Sequence, residues 1–264
     1  MTNMTREEKI KVLHKLGAQE EDIDALLTYT ENAFKPCDVE DDELFLRNFS
    51  EIEEKAKNIC EVPPQLEIFE SAAGKIPVIS TKNTADFENM VRDIIFKGRE
   101  VPHIGSMGAS FAHGKTQRFI ILSNKPYSGI PAADMGIGIA ELEEAEWKEK
   151  SMIIRKYHEC AHYYTKKFLS SARNNLHDEL IADFCGLYAA FSEYKAEWFL
   201  KFMEKRFAIY TANLSPAAAS VIKKLAECAA GWVEQWAKTS AFLKMSDAER
   251  IEYLANKDLL SITE

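Results

Sequence analysis

Apolar residues recur at helical spacing over the first sixty positions. Ile10, Val12, Leu13 and Leu16 form one stripe and Ile23, Leu26, Leu27 and Tyr29 another, predicting two helices within residues 5–35, broken near Gly17. Leu44, Leu46, Phe49, Ile52 and Ala56 predict a third over 43–60, which Pro63-Pro64 then stops. Residues 1–61 read as an N-terminal helical extension, and 62–264 as the main domain.

The pattern changes in the middle of the chain. Leu66 to Phe69 and Ile76 to Ser80 are short, rich in β-branched and aromatic residues and separated by Ala73-Gly74, so they predict a hairpin. Residues 84–98 predict a helix with Thr84 as N-cap and Gly98 as its stop. The run Arg118-Phe119-Ile120-Ile121-Leu122-Ser123 is a strand, and as an edge strand it would align an extended substrate by main-chain hydrogen bonds. Six of the eleven glycines fall between Gly105 and Gly138, so loop is expected around that strand. Beyond Gly138 the only glycines and prolines are Gly186, Gly231 and Pro216, which predicts successive helices over about 141–171, 176–193, 195–211, 216–241 and 247–256. The fold class expected is α+β, mostly α: a small β-sheet region in the middle (62–140), then a helical C-terminal half (141–264).

Charge narrows the function classes. With 33 basic against 42 acidic residues, a net charge of −9, and the two signs interleaved, nothing resembles a nucleic-acid footprint. The N-terminal residues hold no apolar stretch of signal-peptide type, and no run approaches membrane-spanning length, so a cytoplasmic chain without a membrane partner is expected. Five scattered cysteines without CxxC pairing read as reduced thiols, with Cys160 and Cys185 as packing residues.

The chemistry concentrates in His158-Glu159-Cys160-Ala161-His162 and His177-Asp178-Glu179-Leu180-Ile181-Ala182-Asp183. On a helix, His158 and His162 are four apart and share a face, so their imidazoles can meet at one point. Two nitrogens so placed are half of a zinc site that needs a third ligand, an open position for water and a nearby carboxylate. Glu179 on a second helix completes it. With Asp183 four residues on, one of these two carboxylates can ligate while the other accepts a hydrogen bond from a ligand histidine. His177 points elsewhere on that helix, and Asn175 with Asp178 reads as its N-terminal cap.

These residues resemble the gluzincin zinc peptidases, the thermolysin-like group, in which an HExxH helix is followed by a helix carrying a ligand Glu and an Asp four residues later. The resemblance spans His158 to Asp183. It implies a zincin-like active-site helix, zinc held by His158, His162 and Glu179, Glu159 as general base, and Asp183 as partner of His158. A zinc metallopeptidase acting on a peptide or protein substrate is the expected function. No histidine follows His177, so Arg206, Tyr188 or Tyr210, or else His103 or His113 beside the glycine-rich loop, would have to stabilise the oxyanion. The alternative is a non-catalytic metal-binding helical protein acting as an interaction module; Lys156, two residues before the first motif histidine, and the missing downstream histidine speak for it.

Overall fold

The computed structural model describes residues 4–37, 39, 46, 48–114, 117–171 and 175–263. It is α+β and mostly α, as the pattern predicts. Helix α1 (Arg6–Lys15) starts at a capping box in which Thr5 and Glu8 satisfy each other's backbone N–H groups. It leads to α2 (Ile23–Thr30) and α3 (Phe49–Ile59); Leu44, read with that third helix, lies outside the described residues. Strands β1 (Gln65–Ser71) and β2 (Gly74–Thr81) form the expected hairpin. Helix α4 (Thr84–Met90) continues into a wider, π-type turn over Val91–Ile95. Its cap is Asn83 rather than Thr84, because the Asn83 side chain accepts from the N–H groups of Ala85 and Asp86.

β3 (Ala109–His113) and β4 (Arg118–Ser123) complete a four-stranded sheet in the order β1-β2-β4-β3. β4 runs parallel to β2 and antiparallel to β3, so it is internal, which corrects the expectation that it is an edge. The physical reason lies in its own sequence: Phe119, Ile120, Ile121 and Leu122 are all buried, and an unbroken apolar run suits a strand covered on both faces. The edge strands are β1 and β3.

Alternation sorts the sheet's side chains into two cores. Ile79, Phe119 and Ile121 pack under α3 and α4 with Phe49, Ile52, Phe87 and Met90. Ile76, Val78, Ile120 and Leu122 face the larger core built by α5 (Glu144–Phe168), α6 (Leu176–Phe191), α7 (Ala196–Tyr210), α8 (Pro216–Trp236) and α9 (Asp247–Ala255). The segment expected as an N-terminal extension is divided in its packing. Val12, Leu13, Ile23 and Leu26 of α1 and α2 join the larger core, where Asp22 accepts from Ser215 Oγ at 2.7 Å, while α3 covers the other face of the sheet. Among the described residues, no helix is long and apolar enough to cross a membrane.

Two elements position the site. α5 lies against the sheet, and α6 runs back along it so closely that Gly186 meets the Ile154 backbone.

Candidate metal centre

The centre is assembled from α5 and α6. His158 and His162, one turn apart on α5, turn their imidazoles together until the two Nε2 atoms are 3.1 Å apart. On α6, Glu179 brings Oε1 to 3.5 Å from His162 Nε2 and Oε2 to 3.8 Å from His158 Nε2. All three residues are buried, and their donor atoms lie within 4.8 Å of one another.

The far side of each imidazole is held by a carboxylate. Asp183 Oδ1 lies 2.9 Å from His158 Nδ1, and the Tyr127 hydroxyl, 2.9 Å from the same nitrogen, donates to Asp183 Oδ1 at 2.6 Å. Burial and the neighbouring Asp183 charge push the Tyr127 pKa well above the ordinary phenol value, which keeps it an O–H donor. Asp178 Oδ2 lies 3.1 Å from His162 Nδ1, and Asp178 also accepts from Thr165 Oγ1 at 3.0 Å and Ser171 Oγ at 3.2 Å. Both carboxylates call for an N–H at Nδ1. In that tautomer the two Nε2 lone pairs face each other across 3.1 Å, an arrangement that needs a cation or a proton between them.

The donor set fits zinc. Tetrahedral zinc with bonds of roughly 2.0–2.1 Å separates its ligands by about 3.3 Å; the two Nε2 atoms stand 3.1 Å apart, and Glu179 turns one oxygen toward each imidazole, Oε1 at 3.5 Å from His162 and Oε2 at 3.8 Å from His158. Glu179 and Asp183 of α6 are both ionised. Although burial alone would raise it, the Glu179 pKa is held well below the usual carboxylate range by His162, His158 and Arg206. Asp183 is lowered against the same burial penalty by Arg206 and His158. Arg206 on α7 supplies that charge, donating to Glu179 Oε2 at 2.8 Å and to Asp183.

Glu159, half-buried, lines two cavities that meet beside His158. One, of about 450 Å³, is walled by Ala109, Ser110 and Phe111 of β3 and by Lys166, Glu179 and Tyr210. The other, of about 420 Å³, reaches the 105–108 loop and Lys125. The bond from Ser123 N–H to Gly108 carbonyl at 2.9 Å and the antiparallel register leave the main-chain groups of Ala109 and Phe111 pointing away from β4, along the open edge.

The structure thus brings together His158, Glu159, His162, Glu179 and Asp183, with Arg206 and Tyr210 beside them. It separates the others. His177 Nε2–H donates to the Leu254 carbonyl, 3.0 Å away, and the ring packs edge-on against Phe34. Tyr188 lines a different cavity on the other side of α5, with Cys160 and Cys185. His103 and His113 are exposed and line neither cavity at Glu159. Lys156 turns away to Glu67 and the Phe69 ring, so its charge stays out of the site. Sequence reasoning missed Tyr127, which no motif marks. It also read Asp178 only as part of a helix start; the available signal was its place beside Glu179 on a buried helix.

The model of a family of unknown function (DUF7005) matches residues 46–117 and 115–264, and the chain belongs to that family. No curated protein and no solved structure matches it.

Proposed function

We propose that this member of the family is a zinc-dependent hydrolase of peptide bonds, with zinc held by His158, His162 and Glu179 and with Glu159 as general base. The observation that carries the reading is the pair of Nε2 atoms at 3.1 Å, each imidazole oriented by its own carboxylate, opening onto cavities lined by Glu159. Zinc in such a set supplies Lewis acidity, enough to make water a nucleophile near neutral pH and to offset charge on a substrate oxygen.

The chain's own residues do the rest. Glu159 follows His158 on α5 but is not needed for ligation, which leaves its carboxylate to take the proton of the attacking water and return it to the departing amine. The open edge of β3 offers the Ala109 and Phe111 main-chain groups to an extended peptide, the role the sequence had suggested for β4. Arg206 is committed to Glu179 and Asp183, which leaves Tyr210, lining the cavity beside Glu179, as the downstream candidate to donate its O–H to a substrate carbonyl. A cavity over the three donors favours an enzyme over a closed structural site and hence over the interaction module.

Glu159→Gln tests the reading. It should keep the zinc content of the wild type and lower peptide hydrolysis by about 10²–10⁴-fold. Undiminished hydrolysis would remove Glu159 from the mechanism.

A further inference from the structure

The two cavities share Ala109, His158, Glu159 and Arg206, so they are two arms of one groove meeting at the proposed general base. Their linings differ. The first arm runs along β3 past Phe111 and has a strand edge to hold a polypeptide. The second is reached only by Ala109 at the start of β3; beyond it lie glycine-bearing loops and the side chains of Lys125, Arg155 and Lys205.

Of these cations only Lys125 is paired with a carboxylate among the described residues. Lys125 bonds Glu88 at 2.9 Å and the Gly105 carbonyl at 2.9 Å. Arg155 donates only to carbonyls, those of Ser123, Lys125 and Pro126, and Lys205 donates to the Gly129 carbonyl at 3.0 Å. Among the described residues no carboxylate is ion-paired with Arg155 or Lys205. Burial lowers the Arg155 pKa to about 10, which leaves it charged at neutral pH. Among the described residues, the only carboxylate lining this arm is Glu159, in a chain whose net charge is −9. Positive charge has been gathered here against the overall balance.

Strand direction is compatible with this charge. A peptide lying antiparallel to β3 has its N-terminal part beside Phe111 and runs toward Ala109, so its C-terminal part enters the basic arm. The parallel orientation would bring the peptide's N-terminal side, with its terminal ammonium, toward the three cations. We infer that the Lys125–Arg155–Lys205 arm receives the terminal carboxylate of the substrate, so that the protein trims peptides from a free C-terminus. This rests on the hydrolase reading for its chemistry, and on the cavity lining for its ligand.

Binding can be measured without turnover. Zinc-loaded Glu159→Gln protein is titrated with a fluorescent peptide bearing a free C-terminus, with the same peptide as its C-terminal amide, and with an amide carrying Glu as its last residue. The free acid should bind at least about tenfold more tightly than the plain amide, and Lys205→Gln in the same background should bring the two within about threefold. Equal binding of acid and amide, or a preference untouched by Lys205→Gln, overturns the inference. Equally tight binding of the Glu-terminated amide overturns the terminal assignment in favour of an acidic side chain. Wild-type protein that cleaves none of these peptides would sink the hydrolase reading alone, because the binding ratio decides the carboxylate arm by itself.

Discussion

Gly186 on α6 packs against the main chain of Ile154 on α5 so closely that a Cβ at position 186 would sit 2.5 Å from the Ile154 carbonyl oxygen. That contact sets the spacing of the two helices that carry the ligands. Gly186→Ala forces them apart, because backbone cannot yield as a flexible side chain can. The expected result is a loss of about 1–3 kcal/mol of stability together with weaker zinc binding, from the displacement of Glu179 relative to the imidazoles. Denaturant unfolding and a zinc titration check it; a variant matching the wild type in both would mean the helix spacing is not set here.

Asp178 and Asp183 each hold one imidazole in the tautomer that frees Nε2. Asp178→Asn should therefore lower zinc affinity by about 10–100-fold while leaving the helical circular dichroism in place. Competition with a chelating dye measures this. Unchanged affinity would show that His162 is oriented by something else.

Arg206 compensates two buried carboxylates, and its side chain is 18 % exposed. Arg206→Met should cost about 3–5 kcal/mol in metal-free protein, since Glu179 and Asp183 lose a partner cation. With zinc present the loss should be smaller, because the metal then compensates Glu179. Urea unfolding with and without a chelator distinguishes the cases; equal losses in both would separate Arg206 from the metal site.

The pH dependence has a definite sign. Burial opposes charge on His162, but Asp178 and Glu179 outweigh it and hold its pKa well above the ordinary 6.5. In metal-free protein its contribution to stability is complete below that ordinary value and is lost as pH rises through the raised one. Glu179 and Asp183 are lowered, so theirs is present above the ordinary carboxylate range and lost as pH falls through the depressed values. Zinc must displace the His162 proton, so apparent zinc affinity should climb with pH by up to about tenfold per unit, and loaded protein should not share the alkaline loss of stability. Calorimetric titration across neutral pH checks both; affinity flat with pH would mean no proton leaves His162.

Local periodicity carried much of the fold. That His158 and His162 share one face of α5, and Glu179 and Asp183 one face of α6, follows from four-residue spacing, and the hairpin and β4 announce themselves through β-branched runs. β3 did not, because Ala-Ser-Phe-Ala-His is short, lacks β-branched residues and sits among glycines that read as loop. β4 was mistaken for an edge although four consecutive apolar residues call for cover on both faces. Tyr127 and Arg206 were illegible as site partners of Asp183 for a different reason: they lie 56 and 23 residues from it, and only tertiary packing brings them together. Asp178 carries two roles at once, since its N–H is capped by Asn175 while its carboxylate serves His162, and the first role hid the second.

The most direct test of the account is elemental analysis of protein purified without added metal, beside His158→Ala and Glu179→Ala. The account predicts about one zinc per wild-type chain and its loss in both variants. Wild-type protein without stoichiometric metal, or variants that retain it in full, would contradict the centre on which the proposed chemistry stands.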